Sequence, residues 1–438
     1  MSYLDAKILE GQNLRKLSPG TVIDKGESDV GIEGKERTGI TLHPALFSKH
    51  ILTVGAIGSG KSNTMYHIVK AVRQKMDEND VMVFFDAKGD YLEHFYKNGD
   101  YVISNHLTPP PGVTHWNIYK DILYTPKEKR EETIREIASS LLKEDIENSQ
   151  APVFGMGARD LLAALLTIQV REMEEGKEQW NHQKLVAYMQ KAHDAVLRNL
   201  FLDNPEFMWL RNYIQKDGGS TTQSFLVHLY QTVFKIFSGS FGKDGDFSIR
   251  EAVTQKGGKA IFLEYDLSSG NILDPVYTIL LDLVMKEVLG RSKTDGNVYF
   301  ILDEFPLIPK LNYMDNALNF GRSLGVKVIA GIQNIGQVKH RYGDSLAYSM
   351  LSGFGTIFAF RLFDEESRSF VSQRHGAVKR LITLASTIVN KGAQDQLIDG
   401  KVIEDWDITN LNVGECIVSL PQGEPFLFYP IFYEGKIV

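Results

Sequence analysis

The stretch GAIGSGKS, residues 55–62, constrains this chain more than any other. An apolar run, HILTV at 50–54, leads into it, and NTMYHIVKAVRQKM leads out of it with helical character. The stretch fits G-x-x-x-x-G-K-[ST]. In that pattern, glycines let the backbone curl so that successive N–H groups converge on phosphate oxygens, and the following helix adds its positive end. Lys61 would reach the β- and γ-phosphates, and Ser62 would offer its hydroxyl to Mg2+. Gly55, Gly58, Ser59, Gly60, Lys61, Ser62 and Asn63 are the expected nucleotide-binding set, with ATP and Mg2+ as the ligands.

Composition narrows the setting. The chain has 438 residues, 43% apolar and 24% charged, which is ordinary for a globular protein of two or three domains, or of one large core with insertions. A single cysteine, Cys416, excludes an intramolecular disulfide and a multi-cysteine zinc site. The first residues, MSYLDAKILEGQNLRKL, lack the apolar core of a secretory signal. No uninterrupted apolar stretch is long enough to span a bilayer, so the chain is expected to have no transmembrane segment of its own. A cytoplasmic location fits, with any membrane association supplied by a partner. The formal charge of −7 argues against a surface basic throughout but leaves room for a local basic channel.

Residues 1–45 read as a short β segment (GTVID, SDVGI, RTGITL). VMVFFD, KAIFLEYDL, VYFILDEF, VKVIAGIQ and GTIFAFRL are apolar runs of the kind buried on both faces of a parallel sheet. HLTPPPG, 106–112, must be a loop. From 126 to 250 strand-like runs nearly vanish, and helical periodicity dominates. The pattern predicts an α/β protein with a mainly parallel twisted sheet over 46–125 and 251–438, interrupted by an all-α insertion over 126–250.

A phosphate loop needs an acidic partner, and FILDEF supplies Asp303 and Glu304 at the end of a strand. Asp303 is placed to hold Mg2+ and Glu304 to polarise an attacking water. Asp86, in VFFDAKGD, is a weaker metal candidate and is expected to end the strand next to the phosphate-loop strand. Gln333 closes a strand predicted to lie beside the Asp-Glu strand, where it could read the γ-phosphate. Arg322, in GRSLGV at a helix–loop junction, could serve a neighbouring subunit as an arginine finger.

The order GAIGSGKS, FFDAKGD, helical insertion, FILDEFP, GRSLGV and GIQNIGQVKHRYG resembles the TraG/TraD-type coupling proteins of conjugation and type IV secretion. These sit within the HerA/FtsK group of ring-forming DNA-pumping ATPases. The resemblance runs over about residues 45–435. It implies a RecA-like core, a homo-hexameric ring with DNA in its pore, and a relaxase or secretion-channel partner. Carried over by position, Lys61 and Ser62 form the phosphate-loop pair, Asp303 is the metal-side acid, Glu304 the base, Gln333 the sensor and Arg322 the trans-acting finger. Arg361 and Arg374 are further candidates for an interface arginine. Lys339, His340 and Arg341, and the loop 238–246, are candidate pore elements. Coupling proteins usually begin with a membrane anchor, and none is read here. Alternative uses of the same core are a nucleotide-dependent adaptor, or a motor for protein secretion or antiphage defence.

Overall fold

The computed structural model describes residues 8–10, 14–16, 30–106, 110, 112–147, 149–215, 219–292, 295–384 and 394–435. GTVID lies outside the described residues, as do 107–109 and 111 of the proline-rich loop. Seven strands run parallel through the centre of a ten-stranded sheet. Their spatial order is Tyr101–Ser104, Lys259–Glu264, Val81–Asp86, Val298–Leu302, Val326–Ile332, Ile51–Val54 and Thr356–Ala359. Cys416–Ser419 and Phe426–Phe428 extend it antiparallel, and Arg15–Lys16 closes that edge.

The apolar runs form these strands because both faces are covered. Ile51, Met82, Phe84, Phe262, Ile301, Ile329 and Phe358 face one side. There they meet Met65, Ile68, Val69 and Val72 of helix Lys61–Lys75, and Val30, Ile32, Ile40 and Leu42 of the hairpin Val30–Glu33/Gly39–Leu42. Phe84 and Phe262 stack at 4.5 Å across adjacent strands. The alternate residues Leu52, Val54, Val83, Phe85, Leu263, Phe300, Leu302, Val328 and Ile332 face the other side. That core is continuous with helix Asp274–Leu289 and with the helical insertion.

Every described element between Ile118 and Gln255 is helical. The insertion is organised around helix Pro152–Glu174, which packs on Arg130–Leu141 and Ser220–Ile236. This helix is long and apolar enough to cross a membrane, although the sequence offered no uninterrupted apolar run. Most of its apolar window is buried against neighbouring helices, which accounts for its composition. Gly157 lets Phe225 of the neighbouring helix approach where any Cβ would collide with its ring. Buried Asp121 accepts from Trp116 Nε1 and, across the insertion, from Ser248 Oγ and Arg250 N, so both crossings into the helical layer are tied together. A buried acceptor stripped of such donors would be costly by about 1–3 kcal/mol.

One expectation about topology fails. Val81–Asp86 lies between Val298–Leu302 and Lys259–Glu264, not beside the phosphate-loop strand. The neighbours of Ile51–Val54 are Val326–Ile332 and Thr356–Ala359. Two of the strands nearest the loop therefore come from far along the chain, which no local pattern encodes.

Candidate nucleotide site

The phosphate loop leaves strand Ile51–Val54 and enters helix Lys61–Lys75 through two left-handed glycines, Gly58 (φ 71°) and Gly60 (φ 112°). Gly60 is doubly required, because a Cβ there would come within 2.8 Å of Gly414 Cα. The loop is held from both sides: Ala56 N donates to Arg361 O at 2.9 Å, and Gly414 N donates to Ser59 O at 2.8 Å. Arg361 therefore belongs beside the loop of its own chain. Lys61 Nζ donates to the loop carbonyls of Gly55 (2.8 Å) and Ala56 (3.4 Å). Burial lowers the pKa of this lysine, while the charges of Glu304 and Asp303 oppose the shift.

The parallel register brings the acids to the same end of the sheet. Ser62 Oγ donates to Asp303 Oδ2 at 3.0 Å, and Asp303 Oδ1 is buried without a hydrogen-bond partner. Burial, opposed mainly by Lys88, raises Asp303 to about 6. A hydroxyl and a carboxylate with a free buried oxygen suit a hard cation such as Mg2+, which takes few protein oxygens and completes its shell with phosphate and water. Among the described residues no cluster of three His, Cys, Asp or Glu is arranged as a metal site. Glu304 accepts from Gln333 Nε2 on one oxygen (3.1 Å) and from Lys88 Nζ on the other (3.1 Å). Val326–Ile332 pairs with Val298–Leu302, so Gln333 stands beside the Asp-Glu pair, as its sequence position suggested.

These residues open onto one cavity of about 1310 Å3. Its far wall comes from the chain's tail and from the N-terminal hairpin. Lys35 Nζ lies 3.4 Å over the ring of Tyr429, whose hydroxyl donates to Val413 O. Asn63 lines the cavity, but its side chain is occupied by that tail: Nδ2 donates to Ile431 O and Oδ1 accepts from Tyr433 N. A side-chain contact from Asn63 to a nucleotide is thereby removed from the expected set.

Several candidates lie elsewhere. Asp86 is a turn-building residue: Oδ1 accepts from the backbone N–H groups of Lys88 and Gly89, and Oδ2 from that of Leu92. Lys339, His340 and Arg341 sit on helix Ile335–Tyr342 rather than on a loop. Lys339 pairs with Glu366, while His340 and Arg341 line the cavity, with Arg341 donating to Pro306 O. The loop 238–246 is fastened inward by buried Phe241, packed near Trp116, and by Asn117 Nδ2 donating to Gly245 O. Arg322 lies on the turn Gly321–Leu324, at the amino end of strand Val326–Ile332. A seven-residue strand, about 20 Å, separates it from the cavity. Arg374 donates to Gly355 O, also at that end.

Lys88 was not singled out from the sequence, although a signal existed. AKGD follows an apolar strand ending in an acid, and turns at the carboxyl ends of parallel strands gather around ligands.

Residues 35–427 match the family described as the type IV secretion-system coupling protein DNA-binding domain. Coupling protein TraD of Escherichia coli (strain K12) is 23% identical over 87% of this chain and 52% of its own length. The coupling protein VirD4 of Bartonella henselae is 24% identical over 66% of this chain and 47% of its own. The chain thus spans about half the length of these curated relatives. Among solved structures, the bacterial conjugative coupling protein TrwBdeltaN70 superposes with a TM-score of 0.73 at 18% identity, covering 98% of this chain and 94% of that one. TrwB has also been solved in complex with ADP and Mg2+. The fold is that of the TrwB core, and with the match running from Lys35 to Leu427 the chain belongs to the type IV secretion-system coupling protein DNA-binding domain family.

Proposed function

We propose that this chain is an ATP-hydrolysing motor subunit that works in a homo-hexameric ring around DNA, driving its transfer into a secretion channel. The observation that carries the reading is the juxtaposition of the Ser62–Asp303 pair with Glu304, itself held by Gln333. In this reading the loop N–H groups, Lys61 and the helix end bind the phosphates of ATP. Ser62 and Asp303 hold Mg2+, which neutralises developing charge on the phosphates. Glu304 orients and polarises the attacking water, and Gln333 keeps its carboxylate aimed at the cavity. The TrwB complexes with a non-hydrolysable ATP analogue and with ADP and Mg2+ support the choice of ligands, and a further TrwB complex holds a GTP analogue. Family membership supports DNA and the secretion machinery as partners.

The test is ATP turnover by the purified chain, alone and with single- or double-stranded DNA. DNA should stimulate hydrolysis, and Glu304→Gln should lower it by at least about a hundredfold while ATP still binds. Tight binding of ATP without turnover under any of these conditions would sink the motor and favour a nucleotide-dependent adaptor.

A further inference from the structure

Lys88 is a charged group at the cavity that phosphate-loop chemistry leaves without a task and that is bonded to Glu304. Its backbone is fixed: Asp86 caps the turn through three N–H groups, and Gly89 takes the left-handed conformation (φ 79°) needed to start helix Asp90–Phe95. Its side chain is long, about half exposed (46%), and lines the cavity together with Lys61 and Ser62. Its ammonium is hydrogen-bonded to Glu304 Oε1. Burial alone would lower its pKa, but this bond and the nearby charges of Asp303, Glu304 and Asp90 outweigh burial and hold it raised. Lys88 and Lys61 each lie close enough to feel these acids, and Lys61 feels Lys88 as well. Around the phosphate loop two ammoniums thus face two carboxylates, while Lys35, His340 and Arg341 line other parts of the cavity.

A nucleoside triphosphate brings its terminal phosphate to this balanced cluster, next to the carboxylate of Glu304. Like charges so close repel strongly unless a cation intervenes. Among the described cations lining the cavity, Lys88 is the one already bound to Glu304, and its ammonium has three donors on a flexible stem. We propose that Lys88 senses the terminal phosphate: without it, Lys88 restrains Glu304, and with it, Lys88 turns onto the phosphate and frees one oxygen of Glu304. A diphosphate offers nothing at that position and leaves the restraint in place. Lys88 is then both a ligand contact and the residue that ties readiness of the base to the identity of the nucleotide. This inference rests on the nucleotide reading above.

The experiment is equilibrium binding of a non-hydrolysable ATP analogue and of ADP, each with Mg2+, to the full chain. Lys88→Met should weaken the analogue by about tenfold, the worth of one charge-assisted hydrogen bond, and leave ADP within about twofold. Lys88→Arg should keep most of the preference. Glu304→Gln removes the carboxylate beside the phosphate and should tighten the analogue, more strongly in the Lys88→Met background, where no ammonium intervenes. Equal weakening of both nucleotides by Lys88→Met, or no change in either, overturns the proposal while leaving the nucleotide reading intact. If the unsubstituted chain binds neither nucleotide, the nucleotide reading falls and takes the proposal with it.

Discussion

At the carboxyl ends of the parallel strands, Glu304, Lys61 and Lys88 line one cavity with Asp303 buried beside them, two acids against two ammoniums around the phosphate loop. At the amino ends of the same strands, Arg322, Lys327 and His50 crowd together, and the charge of Arg322 adds to the lowering of the pKa of the other two. Burial lowers the pKa of Lys327, and the charge of Arg322 lowers it further. Burial likewise lowers that of Arg374. The first end satisfies itself and can exchange partners when a polyanion arrives. At the second, Asp80 opposes the lowering of Lys327, and among the described residues no carboxylate forms an ion pair with Arg322. Phe320, two residues before it, and Tyr348, on a helix packed against that of Phe320, are 68% and 73% exposed. An exposed guanidinium on a face that also carries exposed rings is suited to an interface, where a partner's triphosphate would supply negative charge.

The largest expected effect breaks or confirms this division. Arg322→Ala should lower ATP hydrolysis by about a thousandfold, the usual worth of a trans arginine, with ATP binding by the same chain unchanged. Mixing Arg322→Ala with Lys61→Ala subunits should restore some turnover, because each lacks what the other keeps. Steady-state hydrolysis of the mixture decides the point. If mixing restores nothing, the two ends do not complete one another and Arg322 is an ordinary surface residue.

How much of this was legible in the sequence follows the same division. The carboxyl end was readable because its chemistry is written in short contiguous strings. GAIGSGKS and FILDEF each carry the residue types and the local strand-to-turn geometry that their roles need, and the sheet brought Ser62 within 3.0 Å of Asp303. Gln333 was found because it ends an apolar run. What escaped depends on strand order or on distant segments. The position of Val81–Asp86, with two strands between it and the phosphate-loop strand, the tail that occupies Asn63, and the pairing of Lys88 with Glu304 across 216 residues are set by tertiary packing. Basic residues after Gln333 suggested a pore loop, but buried Ile335, Val338 and Tyr342 at helical spacing make that segment a helix. The amino end offered no motif, only an arginine near a turn.

A smaller effect separates the ends by proton linkage. Glu264, beside Asp86 at the carboxyl end, is raised to about 9, first by burial and then by the charge of Asp86 and a hydrogen bond with it. The folded chain therefore keeps a proton that the unfolded chain releases near pH 4.5. Stability from this group is full below that pH and is lost as pH rises toward 9. Between pH 6 and 9 the wild-type melting temperature should fall about 5 °C more than that of Glu264→Gln, which cannot ionise. Parallel slopes in thermal melts would show that the Asp86–Glu264 pair shares no proton. Because Asp86 builds the turn that carries Lys88, a loss of order there should also appear as faster amide exchange over residues 87–92 at high pH.

The smallest effect has the opposite sign and comes from the amino end. His50 is buried, its Nδ1 accepts from Val328 N, and its Nε2 faces Leu318 O at 3.0 Å. That pair of bonds requires the neutral ring with its proton on Nε2. Burial lowers the pKa to about 4; the Leu318 bond opposes this, while Lys327 and Arg322 push further down. The unfolded chain takes up a proton near pH 6.5 that the folded chain refuses, so stability falls as pH drops from 6.5 toward 4. Wild type should lose about 3 °C more than His50→Asn between pH 7 and 5. Asn suits this test because it tolerates the left-handed backbone at this position (φ 53°) and does not titrate. The variant will start from a lower melting temperature, having lost a buried hydrogen bond, so the slope with pH and not the level carries the answer. A slope unchanged by His50→Asn would mean that burial does not keep the ring neutral, and that the smaller push from Lys327 and Arg322 is not felt there either.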